Sequence, residues 1–261
     1  MPPRISLVYL TYRPGGYDVL VDGLKGQTFT DYELICVDEM TERRDAVYDY
    51  LEKHDIPTSY VGSSKKKCFP ELPFNLINAY NTGVLLSRGD VVVLLNDYIW
   101  LPPDSLKKIA LCSEERGDMT MISLSAFYSP CPKGEHMDHP LSIWEKHWTG
   151  QPKGGPLWVG SPFELFYAAF PYPFLLETNG FPECYDYHKA NQIVPLAKKI
   201  KEVKGNIYVD KENAGYHLDH RGWGGALWHQ AAKGGMGKLI ERENCFNLKE
   251  HKRGTLSENE K

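Results

Sequence analysis

Residues 89–103 read GDVVVLLNDYIWLPP. Gly89 and Asp90 open a continuous apolar run over 91–95, which stops abruptly on Asn96-Asp97. A short run of this kind, rich in valine and bounded by turn residues, predicts a strand buried on both faces of a parallel sheet. In open α/β sheets ligands gather just past the carboxyl ends of such strands. A carboxylate there can hold a divalent cation and, through it, a phosphate. A plain polar strand end opening a surface turn is the other reading of the same residues.

The pattern repeats outward from this strand. Residues 5–11 (ISLVYLT) form an apolar run that breaks at Arg13-Pro14-Gly15-Gly16, and 33–37 (ELICV) form another, ending at Asp38-Glu39. A third short strand is expected over 59–62. Helical spacing predicts helices over 17–26, 45–54, 74–87 and 103–111, the third closed by Gly89. Alternation of this kind implies a largely parallel sheet with right-handed crossovers, an α/β fold.

The second half is less regular. A strand is expected over 119–127 and another over 206–209, with a helix over 192–203 between them. Residues 163–177 are apolar, 180–182 turn the chain, and 216–225 read as a polar, glycine-rich loop. The long segment 129–162, with Trp144, Trp148 and Trp158, is expected to be functional, because structureless stretches of this length are uncommon in compact domains. The charged tail 249–261 is expected to fray.

The 261 residues carry a formal net charge of −4, which argues against a general nucleic-acid binder. No apolar run approaches the roughly 20 residues of a membrane-spanning helix. Six cysteines are scattered without a CxxC pair, which suggests neither a zinc site nor a dense disulfide framework. Reduced thiols in a cytoplasm-like compartment are the expectation, for a soluble protein.

Several segments, in order, resemble family-2-type glycosyltransferases of the GT-A fold. Residues 6–13 (SLVYLTYR) resemble the family's opening strand, and Gln27-Thr28-Phe29 followed by 32–39 (YELICVDE) its "QT…yEiivvDD" stretch. Asn81-Thr82-Gly83 with Arg88-Gly89-Asp90 resembles "N-x-G…a-x-G-e/d", and 96–103 (NDYIWLPP) resembles "DDDDwlpP". Residues 179–183 (NGFPE) are similar to "GGFdE" and Tyr216-His217 to the closing "yH". The resemblance spans residues 5–220. It implies one Rossmann-like GT-A domain over 1–248, with a nucleotide-sugar half (1–111) and an acceptor-side half (112–248).

The resemblance also implies roles. Thr11, Tyr12, Arg13, Asp38, Glu39, Lys66, Asn81 and Asn96 are expected on the nucleotide, with Arg221 and Trp223 closing a lid over the diphosphate. A carboxylate at Asp38 suits the base N–H; a turn cap is its other use. Asp97 is the expected metal ligand, with Asn96 and Tyr98 standing where the family's triplet carries acids. His217 is the expected second ligand and suits Mn²⁺ better than Mg²⁺, with Asp219 and His220 as alternatives. Inverting transfer needs a carboxylate base at the acceptor hydroxyl. The family's aspartate falls on Asn191, and an amide is no base, so Asp186 is the expected substitute with Glu183 behind it. Trp144, Trp148 and Trp158 are the expected acceptor platforms; with His136, His139 and Lys146 beside them, a modified-DNA acceptor stays open. Sugar transfer from a nucleotide-diphosphate donor, UDP by default, is the expected reaction. A nucleotidyltransferase and a catalytically degenerate nucleotide- or glycan-binding module are the competing classes.

Overall fold

The computed structural model describes residues 2–65, 75–129, 141–144, 148–150, 152, 157–158, 165, 167–183, 193–218 and 244–256, with backbone alone at 128–129, 157–158 and 193–195. The first half follows the strand–helix alternation of the sequence: β1 (Ile5–Thr11), α1 (Tyr17–Lys25), β2 (Tyr32–Asp38), α2 (Arg44–Lys53), β3 (Thr58–Gly62), α3 (Leu76–Leu86), β4 (Val91–Asn96) and the two-residue β5 (Ile99–Trp100). After α4 (Ser105–Arg116) come β6 (Thr120–Ser129), β7 (Leu157–Trp158), β8 (Tyr167–Pro171), α5 (Tyr172–Thr178), α6 (Ile193–Glu202) and β9 (Asn206–Leu218).

The strands form one nine-stranded sheet in the order β3-β2-β1-β4-β8-β6-β9-β5, with β7 paired to β6. The β3-β2-β1-β4 block is parallel throughout, β8 runs against both β4 and β6, and β9 is parallel to β6. Side-chain alternation splits the core in two. Ile5, Leu7, Tyr9, Val91, Val93 and Leu95 pack on the face that meets α1, α2 and α4. Val8, Leu10, Val92 and Leu94 pack on the opposite face, with residues of α3, α5 and α6. Each fully buried aliphatic side chain contributes roughly 1.5–3 kcal/mol by leaving water. Helix α3 lies directly on β1: a Cβ at Gly83 would come within 2.1 Å of Val8 Cγ1.

Three regions depart from the sequence reading. The apolar stretch 163–177 divides into strand β8 and helix α5, with Pro173 in the helix's first turn, where a missing N–H costs no hydrogen bond. Strand β9 runs on to Leu218, so Tyr216 and His217 are strand residues rather than loop. Residues 249–256 are docked: Gly254 N donates to Leu85 O at 3.0 Å, and the Arg253 guanidinium lies 3.7 Å from the Tyr172 ring centroid. Cys245 is disulfide-bonded, which corrects the expectation of reduced thiols throughout. No helix among the described residues is long and apolar enough to cross a membrane.

Candidate active site at the strand ends

Parallel pairing puts the ends of three neighbouring strands on one edge. Thr11 stands opposite Asp38 in the β1–β2 register, and Leu10 stands opposite Asn96 in the β1–β4 register. Thr11, Asp38 and Asn96-Asp97 therefore converge as the strand-end rule requires. Glu39 joins them, its N–H bonded to Thr11 O at 3.0 Å. His217 faces Ile99 across the β5–β9 pair, and Leu218 N donates to Tyr98 O at 3.0 Å. The backbone of His217 is thus carried alongside the Asp97-Tyr98 turn.

Each aspartate has an arginine. Arg13 Nη1 donates to Asp97 Oδ1 at 2.6 Å, and Thr11 Oγ1 lies 3.2 Å from Oδ2. Asp97 is only 2% exposed. Burial works against the Arg13 charge, but Asp97 holds its guanidinium above the ordinary value. Asp38, also 2% exposed, receives Arg43 Nε at 2.8 Å and Nη2 at 3.1 Å, with Tyr17 OH at 2.9 Å and Met40 N at 2.9 Å. Burial, then the Asp38 charge, pushes the Tyr17 phenol well up, so it stays a donor. Arg43 reaches further, to Ser142 O at 2.8 Å and Arg13 O at 2.7 Å.

This arrangement corrects several expected roles. Asp38 is sealed by four donors and has no face to offer a nucleobase. Asn81 and Glu183 belong to a buried network instead of the strand-end cleft. Asn81 Nδ2 donates to Glu183 Oε1 at 2.7 Å and to Phe181 O at 2.8 Å, while Oδ1 accepts Phe181 N at 2.8 Å. Glu183, fully buried, accepts Cys245 N at 2.7 Å on its other oxygen. Among the described residues both Glu183 oxygens are engaged in structural hydrogen bonds. Trp144 packs edge-on against Tyr50 of α2, with 4.5 Å between ring centroids, and is 52% exposed. Trp148 is half-buried, and Trp158 is placed only by backbone pairing with Ala126.

Glu39 is half-buried, and its Oε1 accepts Ser64 N at 2.8 Å and Ser64 Oγ at 2.5 Å. Asn96 Oδ1 accepts Tyr80 OH at 2.7 Å. The Tyr12 hydroxyl lies 2.7 Å from Arg13 Nη2, and the guanidinium carbon stands 4.4 Å from the Tyr12 ring centroid. Lys66, Asp186, Asn191, Asp219, His220, Arg221 and Trp223 lie outside the described residues.

Arg43 and the pairing of Arg13 with Asp97 are absent from the sequence reading. Arg43 had a local signal: a cation five residues past a strand-end aspartate, in the turn entering a helix. Arg13 and Asp97 are 84 residues apart and carry none.

A divalent cation suits the donor types present: the Asp97 carboxylate, the Asn96 carbonyl oxygen beside it and the His217 imidazole alongside. Among the described residues, no group of three His, Cys, Asp or Glu side chains is gathered for an ion. The charge of Asp97 is met by Arg13.

No protein-family model matches the chain, and no curated protein matches it in sequence. Solved structures do match in fold. A mannosyltransferase from Pyrobaculum calidifontis, in complex with GDP-Man and Mn²⁺, is similar over 85% of this chain with a TM-score of 0.58 and 14% identity. GalNAc-T7 with UDP, GalNAc and Mn²⁺ is similar over 89%, with a TM-score of 0.61 and 13% identity. Residues 1–349 of S. aureus TarS, in complex with UDP, are similar over 83%, with a TM-score of 0.55 and 12% identity. This chain covers 59%, 48% and 60% of those three chains respectively. The shared architecture is the GT-A fold.

Proposed function

We propose that the chain is a glycosyltransferase that moves a sugar from a nucleotide-diphosphate donor, UDP favoured, to an acceptor hydroxyl on a glycan or other polymer. The observation that carries this reading is the convergence of Thr11, Glu39 and Asn96-Asp97 at three adjacent parallel strand ends. That edge belongs to a fold whose solved examples include complexes with GDP-Man and UDP.

The residues divide the work by chemistry. Glu39, rather than the sealed Asp38, is the carboxylate for the base N–H. Thr11 and Asn96 offer a hydroxyl and an amide to ribose. Arg13 presents a planar fork of donors that matches phosphate oxygens. Asp97, with Asn96 and His217, would hold a divalent cation, Mn²⁺ by the imidazole's preference. When bound, such an ion supplies charge neutralisation for the leaving diphosphate. In a single inverting displacement the acceptor oxygen bonds to the anomeric carbon as that carbon's bond to the phosphate oxygen breaks. The acceptor proton passes to a carboxylate, for which Asp186 is our candidate. Lys66, Arg221 and Trp223 are retained as further nucleotide contacts on the family resemblance.

One observation favours a second reading, a nucleotide- or glycan-binding module without turnover: both strand-end aspartates are already neutralised by arginines. The deciding experiment measures nucleotide diphosphate released from a panel of UDP-, GDP- and dTDP-sugars, with Mn²⁺, with Mg²⁺ and with EDTA. Release from one donor, abolished by Asp97→Ala in folded protein, supports the transferase. A nucleotide-induced thermal shift without release from any donor supports the binding module.

A further inference from the structure

We propose that Arg13 is the built-in counter-cation of Asp97, so that a divalent metal ion and the Arg13 guanidinium exclude one another at that carboxylate. The proposal rests on the metal-assisted reading of the strand-end site and deepens it: Arg13 sets how tightly the site takes a cation.

Asp97 is a charge removed from water, and a buried carboxylate persists only with a partner. Arg13 is that partner at 2.6 Å, on the carboxylate that a cation would need. Two positive charges a few ångströms apart in a poorly solvated site repel strongly. One must leave before the other binds.

The arginine's backbone is held independently of its side chain. Arg13 N bonds to Thr11 Oγ1 at 3.2 Å, and Arg13 O accepts Arg43 Nη2 at 2.7 Å. The next residues are fixed as well: Tyr98 OH donates to Pro14 O, and Gly15 N donates to Ser142 O at 2.6 Å. Gly15 and Gly16 have φ of +76° and +87°, and a Cβ on Gly15 would meet Trp144 O at 2.8 Å. Tyr98 occupies the last position of the resembling acidic triplet. With φ +64° and 1% exposure, its side chain props the Arg13 loop from below. A position expected to ligate a cation instead helps to seat an arginine.

The guanidinium also has somewhere to go. Its side chain is 15% exposed, and Nη2 already bonds the Tyr12 hydroxyl, so Tyr12 can retain it as it swings off Asp97.

The test is Mn²⁺ binding to the full chain without nucleotide, read by the electron paramagnetic resonance signal of the unbound ion. No donor sugar is present, so the result does not depend on whether the chain transfers one. Arg13→Gln should bind Mn²⁺ about ten-fold or more tightly than the parent, because the site regains a full carboxylate charge. Arg13→Lys, which keeps the charge but loses the planar fork, should fall between the two. Asp97→Asn should erase the gain in the Arg13→Gln background. Mn²⁺ should also raise the melting temperature of Arg13→Gln by more than that of the parent. Equal or weaker affinity in Arg13→Gln overturns the proposal, as does a gain that survives Asp97→Asn. Should Arg13→Gln not fold, Arg13→Lys decides, and parental affinity in that variant overturns it.

Discussion

Asp38 and Asp97 flank the first strand, one at the end of β2 and the other just past the end of β4, and each is buried against an arginine. The two pairs differ in how they are closed. Arg43 contacts Asp38 through Nε and Nη2, its remaining donors hold the Ser142 and Arg13 carbonyls, and both side chains are 1–2% exposed. Arg13 meets Asp97 through one nitrogen, and its side chain is 15% exposed. The first pair joins α2's entry, the Arg13 loop and residue 142 into one unit. The second sits at the edge of that unit and can be exchanged. Similar charges at similar places thus serve as a structural tie in one case and as a replaceable contact in the other.

Breaking the tie should have the largest effect. Arg43→Ala strands a buried carboxylate and two carbonyls, and should cost about 3–5 kcal/mol in thermal or denaturant unfolding. Arg13→Gln keeps an amide donor near Asp97, leaves the Thr11 hydroxyl bonded to it and frees no backbone carbonyl, and should cost less, roughly 1–3 kcal/mol by the same measurement. Equal costs would erase the distinction between the pairs. Tyr98→Phe removes the hydroxyl bond to Pro14 O and sharpens the comparison from the other side. It should cost about 0.5–1.5 kcal/mol and raise Mn²⁺ affinity slightly by loosening the Arg13 loop.

The smallest effect concerns a third acid, at the opposite end of β2. Glu33 is buried, which pushes its carboxyl up, but hydrogen bonds from Ser6 and Arg88 outweigh this and hold it below the ordinary range. Its contribution to stability is therefore complete at neutral pH and is lost as pH falls through the lowered folded value. Glu33→Gln should flatten the acid limb of the stability curve below about pH 4. An unchanged acid limb would show that Glu33 contributes nothing to it.

Strands β1, β2 and β4 were legible because each is a short, largely apolar run closed by turn residues and separated from the next by helical spacing. The strand ends that carry Thr11, Asp38 and Asp97 follow from them. The run 163–177 was not divisible by pattern, because it is almost wholly apolar and neither period stands out; Pro171 and Pro173 were its markers for a helix start. Tyr216-His217 read as loop because the segment 216–225 is polar and glycine-rich, yet pairing with β6 carries the strand through them. At the site, sequence could name the acids but not their partners. An ion pair between residues 13 and 97 exists only once the sheet brings β1 beside β4, and Asn81 looked like a ligand contact until its tie to Glu183 was seen. Trp144 is a similar case, since its contact with Tyr50 joins residues far apart in the sequence.

The buried tie at Glu183 also bears on where this polypeptide can be cut. Asn244 Nδ2 bonds the carbonyls of Asn179 and Phe181, its Oδ1 accepts Glu183 N, and Cys245 N completes the Glu183 carboxylate. Phe246 and Leu248 then enter the same core as β4 and α3. Any expression boundary drawn before Asn244 would leave one oxygen of a buried acid without its Cys245 donor and remove Phe246 and Leu248 from the core that holds Phe181. In recombinant work, residues 244–256 therefore belong inside the minimal folding unit, on the same footing as a central strand.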